Sequence, residues 1–140
     1  MQNRNIQHLT KLPLQDVFIL FDLEYTAWEG SYEGNWSERN EYREIIQIGA
    51  IRVGGPDLRE EAHLLEYVKP VKNPVLSDFI VSFTGITQSD INARGLTFGE
   101  ALRKFEQFIG NLPAYCWGRD IEVIKENCFL ANLSIPDFCS

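Results

Sequence analysis

The stretch Val17-Phe-Ile-Leu-Phe21 followed by Asp22-Leu-Glu24 constrains this chain more than any other. Five consecutive apolar residues bounded by polar ones predict a buried strand. Side chains alternate along a strand, so Asp22 and Glu24 point to one face at its end. Two adjacent carboxylates repel, and a hard divalent cation bound through oxygen offsets that repulsion. Asp-x-Glu is short and often marks solvated acids at a strand end. The residues around it decide which reading holds.

A second strand is predicted over Glu44–Val53, and Gly54-Gly55-Pro56-Asp57 is a turn signal. A third strand near His63–Val68 would close an antiparallel meander. Between strands one and two lies a polar and aromatic loop, Tyr25–Arg43, which carries Trp28, Tyr32 and Trp36. Short helices are predicted over Ser77–Phe83 and Ser89–Ala93. Thr97 with Glu100 is a capping-box pattern, and Phe98, Ala101, Leu102, Phe105, Phe108 and Ile109 then recur at helical spacing. Ala114–Trp117 reads as a short strand with Trp117 in the core. Asp120 opens a helix to about Leu130, and Ile135–Phe138 starts one more strand. This order defines an α/β fold with a mixed sheet. It places Asp120 at a strand's carboxyl end, where ligands collect in such sheets.

At 140 residues the chain fits one domain, with residues 1–15 as a polar lead-in and 16–140 as the folded unit. No apolar run approaches the ~20 residues of a membrane span, and Met1–Gln15 lacks a signal-peptide core. Cys116, Cys128 and Cys139 are an odd set with no Cys-x-x-Cys pair, which disfavours a disulfide framework or a zinc site. Reduced thiols and a cytoplasmic location are the expectation. A net charge of −7 argues against broad adhesion to long nucleic acid. A small nucleic-acid site remains compatible with it, because bound metal ions reverse the local field.

Several pieces together resemble the DEDD-type 3′–5′ exonucleases of the ribonuclease H-like superfamily. They are Phe21-Asp22-Leu23-Glu24-Tyr25-Thr26, Arg43-Glu44-Ile45-Ile46-Gln47-Ile48-Gly49-Ala50, Lys69-Pro70, Leu76-Ser77-Asp78-Phe79, Thr84-Gly85-Ile86-Thr87 and Trp117-Gly118-Arg119-Asp120. They run in the family's order over about residues 17 to 131, with spacing nearest the histidine-containing branch. The resemblance implies a ribonuclease H-like mixed sheet, an antiparallel meander followed by a parallel strand. It implies two-metal hydrolysis of phosphodiester bonds at the 3′ end of single-stranded RNA or DNA. Asp22, Glu24 and Asp120 would hold two Mg²⁺ or Mn²⁺ ions about 4 Å apart. It places Thr26 at the terminal nucleotide and Gly85 and Ile86 against its base. Trp28 and Trp36 either stack on a base or pin the loop to the core. Arg43 either meets a phosphate or pairs with Glu41 or Glu44.

The family's third motif, His-x-x-x-x-Asp, supplies a general base and a fourth carboxylate. The histidines here are His8 and His63, and five positions on stand Pro13 and Val68. The expectation is therefore an exonuclease domain incomplete at its C-terminal end, with impaired catalysis and an apolar sheet face left open. A second copy or a partner would cover that face. The alternative is an inactive module of the same fold that binds nucleic acid or a protein.

Overall fold

The computed structural model describes residues 17–140; the lead-in and His8 lie outside them. Strands β1 (Val17–Tyr25), β2 (Ile45–Gly54) and β3 (Arg59–Tyr67) form the antiparallel meander, and β4 (Ala114–Cys116) pairs parallel with β1. The sheet order is β3-β2-β1-β4. The helices are α1 (Ser31–Gly34), α2 (Asp78–Thr84), α3 (Gln88–Arg94), α4 (Phe98–Ile109) and α5 (Asp120–Leu130).

Alternation along β1 sets the layers. Ile19, Phe21 and Leu23 are buried on one face, against Phe105 and Leu102 of α4 and Val123 and Ile124 of α5. Leu20, Asp22 and Glu24 lie on the other. Helix α4 begins where the sequence places it: Thr97 and Glu100 form a reciprocal capping box. A second box, Thr87 with Asp90, starts α3, and Ser77 caps α2. A smaller core of Ala27, Ile46, Leu76, Ile80, Ile86 and Ile91 ties α2 and α3 to the sheet.

Several expectations are corrected. Strand β3 starts at Arg59, four residues before His63, because its polar first half lies along the sheet's edge and needs no apolar alternation. The Tyr25–Arg43 loop contains the short helix α1. Ile135–Phe138 forms no strand. Pro136 leads into a 3₁₀ turn over Asp137–Cys139, closed by the Cys139 N–H donating to the Pro136 carbonyl at 3.0 Å. That turn sends Phe138 edge-on into Phe21 and Phe105. Trp117 is 90% exposed rather than core, since β4 ends at Cys116 and the chain then turns outward through Gly118, whose φ is 76°.

On the second sheet face an open apolar trough of about 500 Å³ is lined by Leu20, Asp22, Gly49, Ile51, His63 and Leu65. Leu20 is 41% and Leu65 54% exposed.

Candidate active site

The sheet brings Asp22 and Glu24 to one side of β1 and carries Asp120 to them at the first turn of α5. Strand β4 follows β1 only as far as Phe21. Beyond that point the Asp120 carboxylate takes over as partner, accepting the Leu23 N–H at 3.2 Å. A bulge in the β1–β2 pairing falls between Glu24 and Tyr25, where Tyr25 pairs with Ile45 and Ile46 is passed over. Bulges of this kind re-aim side chains beside functional sites.

The three acids feel one another. Asp120 is buried, and that burial is the main force that pushes its carboxyl up to about 6; Asp22 and then Glu24 add to the shift, while the Leu23 N–H opposes it. Glu24 is also raised, first by burial and then by Asp22. Like charges are thus crowded at one spot, each raising the next. Among the described residues no group of three His, Cys, Asp or Glu side chains is drawn into the geometry of a bound metal ion. The donor chemistry, hard carboxylate oxygens in mutual repulsion, still suits a divalent cation.

The remaining sequence-predicted residues have separate places. Thr26 is 2% exposed; its hydroxyl donates to the Tyr42 carbonyl at 2.5 Å and accepts the Glu44 N–H at 3.0 Å. Its polar atoms are occupied within the fold, joining the end of β1 to the entry of β2. Gly85 ends α2 in the left-handed conformation at φ 77°, and Ile86 is buried in the smaller core. Trp28 is half-buried, and its N–H donates to the Ser31 hydroxyl. Trp36 pins the loop. Its Nε1–H donates to the Thr26 carbonyl at 2.9 Å, and its ring meets Tyr25 and Tyr32. It does so at φ 53°, a backbone region a bulky residue rarely adopts, held there by these contacts. Arg43 pairs with Glu126 of α5, not with Glu41 or Glu44, and its guanidinium lies over the Trp36 ring. His63 stands two strands from Asp22 across the trough and contacts Glu60.

Some neighbours of the site escaped sequence reasoning. Tyr32, Phe79 and Phe83 form an aromatic group, with Phe79 and Phe83 stacked at 5.9 Å and Phe83 65% exposed. Burial raises the Tyr32 phenol, and the nearby Glu24 carboxylate adds to it. Glu44 is buried and accepts the N–H groups of Val71, Lys72 and Asn73 at 2.6 to 2.7 Å. Helical spacing from Ser77 carried the Phe79–Phe83 signal; the Glu44 contacts had none.

A four-stranded sheet in this order, with acids at the end of β1 and the start of α5, is the ribonuclease H-like fold as nucleases build it. The exonuclease (RNase T) family matches residues 19–138, and the chain belongs to that family. The nuclease domain of 3′hExo, a DEDDh family member solved bound to rAMP, superposes with a TM-score of 0.76 at 26% identity, covering 90% of this chain and 64% of that one. Among curated relatives, the probable 3′–5′ exonuclease KapD of Bacillus subtilis is 30% identical over 84% of this chain and 56% of its own length. Human 3′–5′ exoribonuclease 1 is 34% identical over 64% of this chain and 24% of its own. The chain therefore spans about half or less of these relatives. Exonuclease I, at 16% identity and a TM-score of 0.64, shares the fold.

Proposed function

We propose that this chain carries the acid cluster of a 3′–5′ exonuclease acting on the 3′ ends of single-stranded RNA or DNA. One observation carries the reading: Asp22, Glu24 and Asp120, from β1 and α5, crowd their negative charge at one place in a fold whose relatives are 3′–5′ exonucleases. Divalent cations, Mg²⁺ or Mn²⁺ and two in number, would be held by these three carboxylates and would supply an activated water and charge stabilisation at the leaving oxygen.

The chain's own residues do the rest. Asp22 is exposed beside the trough and meets the substrate side directly. Asp120 is fixed from behind by the Leu23 N–H. Tyr32, near Glu24, and Phe83, 5.9 Å from Tyr32, present exposed rings, a surface on which unpaired bases stack irrespective of sequence. On the family resemblance Trp28, Gly85 and Ile86 would also meet the terminal nucleotide; Thr26 acts by bracing the end of β1 through its bonds to Tyr42 and Glu44.

The chain contains no His-x-x-x-x-Asp. Without that base we expect turnover lowered by about 10²–10⁴-fold relative to a complete site. The test is trimming of 3′-labelled single strands with Mg²⁺, Mn²⁺ or EDTA, comparing native protein with Asp22→Ala. Shortening that needs metal and Asp22 supports the reading. A folded chain that binds such strands yet never shortens them supports the inactive-module alternative.

A further inference from the structure

The crowding of three carboxylates tends to drive the N-terminal end of α5 away from β1. At the near end the Asp120 carboxylate accepts the Leu23 N–H, Arg119 donates to the Asn35 side chain, and Val123 and Ile124 pack against β1. A further restraint lies at the other end of the helix. Asn127 is buried, and all of its amide's contacts are internal. Its Oδ1 accepts the Ile45 N–H at 3.0 Å, and its Nδ2 donates to the Arg43 carbonyl at 2.7 Å and the Val123 carbonyl at 2.8 Å. Asn127 thereby bonds the backbone on both sides of Glu44, at the entry to β2. The neighbouring Glu126 pairs with Arg43. Asn127 lies seven residues after Asp120, about two helical turns, so both lie on the same side of α5.

We propose that Asn127 is a positioning residue for Asp120, latching the far end of α5 to the entry of β2 so that the near end keeps its carboxylate on β1. The helix is the lever: β1 is engaged at one end and β2 at the other, and β1 and β2 are paired from Val17–Gly54 to Tyr25–Ile45 with one bulge after Glu24. For its consequence in metal binding this rests on Asp120 serving as a metal ligand. The latch itself is read without metal.

The experiment is amide hydrogen exchange by NMR on the metal-free chain, with Asn127→Ala, Asn127→Leu and the control Cys128→Ala. Cys128 is buried at the same end of α5, and its truncation weakens the core without touching the latch. Should Asn127→Ala fail to fold, Asn127→Leu keeps the bulk, and Glu126→Gln loosens the same end from the surface. The expected result is a loss of Leu23 amide protection of tenfold or more in the Asn127 variants beyond the loss averaged over α4, with no such excess in Cys128→Ala. Leu23 protection that falls only in step with α4, or equally in Cys128→Ala, overturns the proposal. Calorimetric Mn²⁺ titration of the same proteins adds the consequence: native binding weakened about tenfold in the Asn127 variants, since one carboxylate is no longer held. Absence of Mn²⁺ binding by the native chain would count against the acid site, while the Leu23 amide would still decide the latch.

Discussion

The Asp120 carboxylate stands where a fifth residue of strand pairing would otherwise be, accepting the Leu23 N–H at 3.2 Å just past the last β1–β4 partner, Phe21–Cys116. One oxygen thus completes the sheet, while the group's charge belongs to the acid cluster. A buried N–H without a partner is costly, so the fold and the site share this contact.

That sharing sets a pH dependence. In metal-free protein the Asp120 carboxyl is raised to about 6 from an ordinary 3.8, mostly by burial. The folded state then binds more protons than the unfolded one between those values. Stability from this group is fully present below about pH 3.8 and is lost as pH rises through about 6. Glu24 acts in the same direction. Asp90 and Glu100, held low by their capping hydrogen bonds, act oppositely in more acidic solution. The comparison that isolates Asp120 is urea unfolding of native protein and Asp120→Asn in EDTA at pH 4.5 and 7. The native protein should lose stability relative to Asp120→Asn over that interval.

Removing Asp22 should separate stability from binding. The side chain is exposed, it makes no hydrogen bond within the described residues, and it repels Glu24 and Asp120. Asp22→Asn should leave stability within about 0.5 kcal/mol of native or raise it, as expected of a surface change that relieves repulsion. Divalent-cation binding measured by calorimetry should weaken at least tenfold. Thermal melting and titration on one preparation check both.

Thr26→Val should do the reverse. The valine fits the space but strands the Tyr42 carbonyl and the Glu44 N–H, both now bonded to the threonine hydroxyl. A cost of about 1–3 kcal/mol in denaturant unfolding follows from leaving buried polar groups unpaired. Cation affinity should change little, because the Thr26 hydroxyl is engaged by Tyr42 and Glu44 rather than by the acids.

Trp36→Phe should cost about 1 kcal/mol for the hydrogen bond to the Thr26 carbonyl, while Trp36→Ala should cost about 2–4 kcal/mol with the loss of its packing. The aromatic contacts to Tyr25 and Tyr32 and the Arg43 guanidinium above the ring go with it. Denaturant unfolding gives both numbers. Equal costs for the two variants would show that packing contributes little here.

Much of this is legible in the sequence because it is local. Thr97 and Glu100 stand three apart and cap each other; Asp22 and Glu24 stand two apart and share a face. The motif order placed Asp120 near them, and the ribonuclease H-like sheet followed. What stayed hidden depends on contacts distant in sequence. Arg43 finds Glu126 across 83 residues, and Asn127 finds Ile45 across 82, with nothing local to announce either. Trp117 misled because an aromatic after a short strand looks like core, whereas the strand stops one residue earlier. Ile135–Phe138 misled because its apolar residues suit a strand, yet Pro136 turns them into a 3₁₀ plug against Phe105. The open trough beside Asp22, with Leu20 and Leu65 exposed along it, follows from the alternation of β1 and β3 on the sheet's second face.

The central claim is that Asp22, Glu24 and Asp120 work as a cation-dependent nuclease site, and 3′-end trimming tests it most directly. Labelled single-stranded RNA and DNA would be incubated with the chain in Mg²⁺, in Mn²⁺ and in EDTA, beside the Asp22→Ala protein. The account predicts slow shortening from the 3′ end that stops in EDTA and is absent from Asp22→Ala. Strands left at full length by the folded native chain, or shortened equally by Asp22→Ala, would contradict it.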